Sequence, residues 1–345
     1  MNIVIDAFGG DYAPVEIIEG ALIALQKHKD LTITLCGDEF KIKEILNGRI
    51  ERISISHAPD VILNSDSPTT AIRTKKESSL VRCFDLLKHD DETVALISAG
   101  STGAILAGVI MKIGRIKGIS RPTLAPILPT GTDRSVILVD SGANVDCKPI
   151  NLLHFALMGS AYYEIMTGEK SPRVGLLNIG TEDHKGNELV KETYPLMKEL
   201  PINFIGSVEA REIMSGDIDV MVADGFAGNV LLKTLEGTAG TIVNTLKKSI
   251  KSHFFSKIGA LFMRKTFKDL KLKLDAHRYG GSPFLGAKKL VMKCHGTAKR
   301  ETVVTTIEQT IRLHENKLIE NISNMLSQTT LQESENEWNK LHFQK

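Results

Sequence analysis

The chain has 345 residues, of which 42% are hydrophobic and 24% are charged, and its formal net charge is +2. It is long enough to bury a large core, and so small a net charge argues against nucleic acid as a partner. It has no apolar run of about eighteen residues and begins with a strand-like segment, so we expect a cytoplasmic protein without membrane span or signal peptide. Four widely spaced cysteines predict free thiols, and we expect neither metal nor cofactor.

Short apolar segments alternate with helical patterns, which predicts an α/β fold with three α/β/α layers around a mainly parallel sheet. The first helix is marked by Pro14 and by an apolar stripe that includes Ile18 and Leu25. One domain is predicted over residues 1–326, followed by a polar tail over 327–345. Strands are predicted at 2–6, 31–37, 52–57, 94–98, 124–128, 135–140, 173–179, 202–206 and 218–223.

A glycine-rich turn follows the fourth predicted strand, between an apolar run and an apolar helical stretch. Such a turn directs backbone N–H groups beyond the strand end, where ligands bind in open α/β sheets. Taken alone, it is also explained as an ordinary turn whose glycines permit tight geometry. The candidate residues are Gly100, Ser101, Thr102 and Gly103.

Other predicted strands also end in small or polar residues. In one parallel sheet these turns meet the Gly100 turn at the same edge, which predicts a polar cleft that a phosphate or carbonyl group can approach closely. The candidates are Asp6, Gly9, Gly10 and Asp11 in the first turn, Asp140 and Asn144 in the sixth, Asn178 in the seventh, and Asp224 and Asn229 in the ninth.

Three basic residues near these turns are candidate anion ligands, namely Arg73, Lys76 and Lys185; taken one by one, each is better explained as a solvated surface residue. The turn at Ser101 also resembles a nucleophile elbow, which Asp140 and then His154 or His295 would complete as a serine acyl hydrolase. A lipid- or carrier-protein-binding module without activity is the non-enzymatic alternative. The usual dinucleotide and P-loop motifs are absent from the sequence.

The segment 247–273 combines nine Lys/Arg with a single acid and several phenylalanines. That pattern predicts a basic amphipathic projection towards a membrane surface or another acidic partner. A helix packed on the core or in a dimer interface explains it equally well. The residues expected to make the contact are Lys247, Lys248, Lys251, Phe254, Phe255 and Phe262.

Seven motifs in order closely resemble the bacterial phosphate acyltransferase (PlsX) family. Two positions depart from the family pattern: Ser101 stands where the family usually has Asn, and Phe8 where it has Met. The motifs are MNIVIDAFGGD (1–11), SAGSTG (98–103), GANVDCKP (142–149), GLLNIG (175–180), KGNE (185–188), DGFAGNVLLK (224–233) and YGGSPFLG (279–286).

The resemblance implies transfer of a fatty acyl group from acyl carrier protein to inorganic phosphate, for phospholipid synthesis. It also implies a homodimer with a fold similar to phosphotransacetylases and to isocitrate or isopropylmalate dehydrogenases. Together with the basic segment, it predicts peripheral contact with the membrane, where a glycerol-3-phosphate acyltransferase is a further expected partner.

The expected chemistry fits the candidate residues. Phosphate is already a charged nucleophile and a thiolate is a good leaving group, so the site needs chiefly to hold phosphate and to stabilise the oxyanion. The turn glycines with Arg73, Lys76 and Lys185 are candidates for the first task. The amides of residues 100–103, with Asn144, Asn187 or Asn229, are candidates for the second.

Overall fold

The computed structural model describes residues 1–267, 276–329 and 331, and its strands form two sheets. Most strands are short apolar runs whose residues are buried, as expected for strands covered on both faces. The strands are β1 (Asn2–Asp6), β2 (Thr32–Gly37), β3 (Ile53–His57), β4 (Thr93–Ser98), β5 (Thr123–Leu124), β6 (Ile127–Pro129), β7 (Ser135–Val139), β8 (Arg173–Asn178), β9 (Asn203–Glu209), β10 (Val220–Val222), β11 (Ser282–Leu285) and β12 (Leu290–Lys293).

The seven-stranded sheet has the order β3-β2-β1-β4-β12-β11-β5, and the five-stranded sheet has the order β6-β7-β10-β8-β9. Pairing is parallel except where β11 meets its two neighbours and where β6 meets β7. The predicted α/β class with mainly parallel strands is therefore confirmed. The sequence did not predict β11 and β12, each of which is only four residues long.

The predicted strand at 124–128 is divided between the two sheets. Its first part, β5, pairs with β11, and its second part, β6, pairs with β7. Ala125 and Pro126 carry the chain across, and their backbone groups bond to one sheet each: Ala125 N–H donates to Pro283 O, and Pro126 O accepts from Leu138 N–H. The strand ends therefore belong to two sheets. They do not meet at the single sheet edge that the sequence predicted.

The helices cover the sheets. The helix α6 is apolar on all sides, and every residue from Pro149 to Tyr163 is buried against β7, β10 and neighbouring helices. The helices are α1 (Val15–Lys27), α2 (Glu39–Leu46), α3 (Pro68–Thr74), α4 (Ser79–His89), α5 (Thr102–Gly108), α6 (Pro149–Thr167), α7 (Glu188–Met197), α8 (Gly225–Ser252), α9 (Phe254–Phe262), α10 (Arg300–Glu315) and α11 (Leu318–Ser327).

The long helix α8 leaves the body of the protein as it proceeds. Gly225, Gly228 and Leu231 are buried, whereas no residue of α8 beyond Leu231 and no residue of α9 is buried. We call residues 247–262, which end in α9, the arm. Its Phe255 and Phe262 are 84% and 85% exposed. Residues 268–273 of the predicted basic segment lie outside the described residues.

The last described residues of the chain pack against α6. The helix α11 packs on α6, and Leu331 is buried with its carbonyl oxygen 3.3 Å from His154 Nε2. The rest of the predicted polar tail, residues 332–345, lies outside the described residues. Within the described ranges, no helix combines the length and the apolar character that a membrane crossing requires.

Candidate active site

A cleft of about 900 Å³ lies between the two sheets and α8. The first sheet contributes the ends of β4 and β12, the second contributes β6 and the loop after β7, and α8 closes the side. Four residues proposed from the sequence line this cleft: Gly100, Thr102, Asn229 and His295. Large concave sites of this kind are the usual location of ligands.

Two glycine turns meet at the cleft because strands β1 and β4 are neighbours. A Cβ atom added to Gly9 would lie 2.8 Å from Gly100 N and 2.5 Å from an Asp6 carboxylate oxygen. Gly10 has a φ of +106° and faces Ala99. The turn is also tied to β12, since Asp11 N–H donates to Gly296 O at 2.8 Å. The turns after three adjacent strands therefore form one compact edge.

Asp6 stabilises this edge through a chain of hydrogen bonds. Its Oδ2 accepts a hydrogen bond from Ser98 Oγ at 2.7 Å, and Ser98 Oγ in turn accepts from Gly100 N–H at 3.0 Å. Burial raises the pKa of the Asp6 carboxyl group. Asp6 thus orients the Gly100 turn, while its expected direct contact with substrate stays a prediction.

Asp140 performs the same task in the second sheet. Its carboxylate accepts from the N–H groups of Gly142 and Ala143 and from both the N–H and the Nδ2 of Asn144. The Asn144 amide also donates to Pro122 O at 2.8 Å. Both amide hydrogens of Asn144 are thus engaged within the protein, and its donation to an oxyanion stays a prediction.

The start of α8 rests on this loop. Asp224 accepts from Ala227 N–H at 2.8 Å and caps the helix. A Cβ atom at Gly228 would lie 1.9 Å from Asp140 O, so only glycine permits the close approach. Asn229 follows at the cleft wall, with its side chain 3.4 Å from the Cβ position of Gly142. The helix therefore presents Asn229 to the space beside the β7 loop.

Lys293 is a cleft residue that the sequence analysis missed. It ends β12 and is only 9% exposed, and its ammonium donates to the backbone oxygens of Ala99 and Cys294. Burial lowers its pKa to about 8. The sequence signal that could have indicated Lys293 is its place at the end of the apolar run 290–292, two residues before His295. That run was not predicted to be a strand.

Lys233 and His295 also reach the cleft. The Lys233 ammonium lies 2.8 Å from Glu236 Oε2, and His295 Nε2 lies 4.0 Å from the other oxygen of that carboxylate. With Lys293, three basic side chains from β12 and α8 thus line one space. Further lining residues that the sequence did not indicate include Ser141 and Gly142 and the apolar Leu124, Ile127, Leu128, Pro129, Met214, Leu232, Leu235 and Ile242.

The candidates at the end of β8 lie outside the cleft lining. Lys185 forms an ion pair with Glu182 at 2.7 Å, and Asn178 donates to Lys185 O and Ser207 Oγ. Asn187 accepts from Val190 N–H and caps α7. In the sheet, β10 lies between β7 and β8, so these residues stand two strands away from the β7 loop that reaches the cleft.

Arg73 and Lys76 also stand apart from the cleft. They line a separate open depression of about 440 Å³ beside Glu77, Arg82 and Asp85. Both are exposed on or just after α3. Their contact with phosphate therefore stays a prediction, as does that of Lys185.

The residues of a serine hydrolase are not assembled. Ser101 Oγ accepts from Ala104 N–H and caps α5, and within the described chain no histidine is hydrogen-bonded to it. His154 is buried beside Ser120, with 3.0 Å between Nδ1 and Oγ. Burial also raises the pKa of the Cys147 thiol to about 12, which leaves it a poor nucleophile.

The fold is that of the phosphotransacylases. A branched-chain phosphotransacylase from Enterococcus faecalis superimposes with a TM-score of 0.58 at 14% identity, over 90% of this chain and 98% of that one. A phosphotransacetylase from Streptococcus pyogenes gives 0.57 at 15% identity, over 94% of each chain. These likenesses define the fold class that the sequence predicted.

The sequence comparisons define the family. Residues 1–321 match the family model described as fatty acid synthesis protein. Phosphate acyltransferases from Clostridium tetani and Bacillus cereus are 46% and 44% identical to this chain, over 94% and 96% of its length and 98% and 100% of theirs. The chain therefore belongs to the phosphate acyltransferase family. It is an acyltransferase of lipid biosynthesis.

Proposed function

We propose that this acyltransferase moves a fatty acyl group from acyl carrier protein to inorganic phosphate and releases acyl phosphate. The observation that carries the proposal is the division of the cleft into a polar end and an apolar groove. The polar end suits phosphate and a thioester carbonyl. The groove suits a long hydrocarbon chain.

The polar end gathers donors and cations at the strand ends. Asn229 brings a side-chain amide beside the Gly100 turn and the Gly142 loop, and Lys233, Lys293 and His295 supply basic side chains. Donors held by a rigid scaffold stabilise a developing oxyanion without reorganisation at the moment of reaction. Asp6 and Asp140 provide that rigidity through the hydrogen bonds described above.

The apolar groove runs away from the polar end between β6 and α8. β6 and α8 both lead away from the loop at Ser141, because β6 is antiparallel to β7 and α8 begins beside that loop. From Asn229 to Ile242 the helix advances about 20 Å at about 1.5 Å per residue. Leu124, Ile127 and Leu128 face this space from the strand side. An extended fatty acyl chain has a comparable length.

The proposed reaction is a direct displacement. A phosphate oxygen attacks the thioester carbonyl carbon, the carbonyl oxygen carries the negative charge of the tetrahedral intermediate, and the C–S bond then breaks to release the carrier thiolate. The thiolate takes a proton from solvent. Because phosphate supplies its own charge, no histidine base and no acyl-enzyme are required.

We propose further that the enzyme works as a cytoplasmic homodimer in peripheral contact with the membrane, near a glycerol-3-phosphate acyltransferase that uses its product. The arm supports the proposed membrane contact, because it combines exposed aromatic residues with exposed cations. These residues are Phe254, Phe255 and Phe262, and Lys247, Lys248 and Lys251. Cations of this kind attract anionic lipid and acidic carrier protein, and exposed aromatic residues favour the lipid surface.

Trapping of acyl phosphate with hydroxylamine tests the proposed function. The purified enzyme is incubated with palmitoyl acyl carrier protein, with and without inorganic phosphate, and acyl hydroxamate and free fatty acid are both measured. Because hydroxylamine also reacts slowly with the thioester substrate itself, a reaction without enzyme gives the background. We expect hydroxamate above that background only in the presence of phosphate. Phosphate-independent release of fatty acid would identify a hydrolase, and carrier-protein binding without either product would identify a binding module.

A further inference from the structure

We propose that the Lys293 ammonium binds the inorganic phosphate substrate, and that Lys233 is the second cation on the same anion. This inference rests on the proposed function, which it deepens by assigning the phosphate subsite. It places phosphate at the end of β12, away from the lysine at the end of β8 that the sequence favoured.

The partners of Lys293 are unusual for a buried lysine. Its ammonium contacts two backbone oxygens, one of them Ala99 O at 3.4 Å, and among the described residues no carboxylate lies within ion-pairing distance. A lysine is seldom buried this deeply unless it is paired, because an uncompensated buried charge is costly. A bound anion in the cleft supplies the missing partner.

The position of Lys293 matches the site of reaction. It pairs in register with Ser98 on β4, so its side chain stands beside the turn that begins at Gly100. The two backbone oxygens fix the ammonium at the strand ends, in the cleft that Gly100 and Gly296 also line. The cation therefore lies next to the turn at which the sequence places the reaction.

Lys233 approaches the same space from α8. It follows Asn229 by four residues, so both project from one face of the helix, and both line the cleft. Repulsion from Lys233 is one of the influences that lower the pKa of Lys293. Its ion pair with Glu236 is largely solvated and therefore weak. A phosphate between the two ammonium groups would replace this repulsion with two attractions.

Phosphate binding should depend on pH in a defined direction. The pKa of Lys293 is lowered to about 8 in the free enzyme, mainly by burial, and a bound anion raises it. The binding contributed by the charge is therefore complete below about pH 8 and is lost as the pH rises above it. The other titratable groups facing Lys293 are Asp6 at the end of β1 and Asp11 in the turn after it, Cys294 and His295 just after β12, and Lys233 and Glu236 from α8.

Calorimetric titration with inorganic phosphate tests the subsite without any acyl substrate. Lys293→Met keeps the length of the side chain and removes its charge, and we expect the phosphate dissociation constant and KM to rise about 30-fold or more. The KM for acyl carrier protein should change less than about twofold. Lys233→Met should give a smaller loss, about fivefold. Lys288→Met, an exposed change outside the cleft, is the matched control.

An unchanged dissociation constant for phosphate in folded Lys293→Met would overturn the proposal. Lys293 would then have only a structural role. A larger loss in Lys185→Ala would overturn it too, because the phosphate would then lie at the end of β8. If Lys293→Met does not fold, the wild-type pH profile decides. Phosphate binding should weaken about tenfold or more between about pH 7.5 and about pH 9.5, and a flat profile would contradict the proposal.

Lys293→Arg sharpens the pH test because arginine stays charged throughout this range, so its loss of binding above about pH 8 should be smaller than in the wild type. A failure of the proposed function gives a different pattern. In that case the wild type would still bind phosphate through Lys293 but would form no acyl phosphate from acyl carrier protein.

Discussion

The cleft and the arm use lysine and large apolar residues in opposite ways. In the cleft, Lys293 is 9% exposed and the wall residue Leu128 is 4% exposed, whereas in the arm Phe255 and Phe262 are more than 80% exposed. Buried groups of this kind hold a ligand in one orientation, because their positions are fixed by strand pairing and packing. Exposed groups can instead meet a broad surface. We infer that the cleft performs the chemistry and the arm determines where it takes place.

The contact between α8 and the β7 loop should be the most sensitive to substitution. In Gly228→Ala the new methyl group would lie 1.9 Å from Asp140 O, so the helix must move away from the cleft. We expect a loss of about 2 kcal/mol or more of stability and most of the activity. Thermal unfolding and turnover measure the two effects.

The matched control for this change is Gly237→Ala in the same helix, where a Cβ atom meets nothing within 4 Å. Alanine favours the helical conformation, so this variant should be stabilised by up to about 1 kcal/mol. An equal loss of stability in both variants would show that the approach at Gly228 has no special role.

Removing the aromatic residues of the arm should change location and spare catalysis. The triple change Phe254→Ser, Phe255→Ser and Phe262→Ser removes apolar area worth about 1.5 to 3 kcal/mol for each side chain that a bilayer buries. We expect release from anionic vesicles in a sedimentation assay, with activity on soluble acyl carrier protein nearly unchanged.

A charge-reversed arm, with Lys247, Lys248 and Lys251 changed to Glu, should weaken the electrostatic part of the same contact and reproduce the effect of high salt. If the Phe variant sediments like the wild type while remaining folded, the arm is not a membrane contact. A dimer interface would then explain its composition, since the arm does not pack on the core of its own chain.

Substitution of a single groove residue should weaken the binding of the acyl chain and nothing else. Leu235→Ser shortens a half-buried apolar contact on α8, and we expect the KM for palmitoyl acyl carrier protein to rise about fivefold, equivalent to about 1 kcal/mol. Short-chain substrates and the KM for phosphate should not respond. Leu261→Ser, a 73% exposed change in the arm, is the control and should leave all three constants unchanged.

The smallest effects are expected at the two side chains that resemble nucleophiles. Ser101→Ala removes a helix cap, and Cys147→Ala removes a thiol whose pKa is raised to about 12, so each should retain most of the activity. The cap costs about 1 kcal/mol of stability at most. A turnover number reduced a thousandfold in either variant would require an acyl-enzyme mechanism.

The sequence predicted what depends on local patterns. Alternating apolar segments located β1 to β4 and the α/β class, and paired glycines located the turns at Gly9 and Gly100. It did not predict the division into two sheets, because that depends on two residues, Ala125 and Pro126, between strands whose partners are distant in sequence. Polar residues near strand ends were therefore assigned to one edge.

The same limit explains the choice of lysines. Lys185 was proposed because it stands in a glycine-containing motif; it follows β8, which lies two strands from β7 in the second sheet, and its contact with phosphate stays a prediction. Lys293 was missed because only the parallel pairing of β12 with β4 brings it beside Gly100, about 190 residues earlier in the chain. Burial and charge neighbours, which mark Lys293 as unusual, are properties of the folded chain.

Single-turnover analysis tests most directly whether the cleft transfers an acyl group to phosphate without an enzyme-bound intermediate. Radiolabelled palmitoyl acyl carrier protein is mixed with excess enzyme, with and without inorganic phosphate, and quenched at short times. We predict one equivalent of labelled acyl phosphate when phosphate is present. When phosphate is absent, we predict neither label on the enzyme nor free fatty acid. Label on an enzyme peptide before phosphate is added, discharged when phosphate follows, would contradict direct attack.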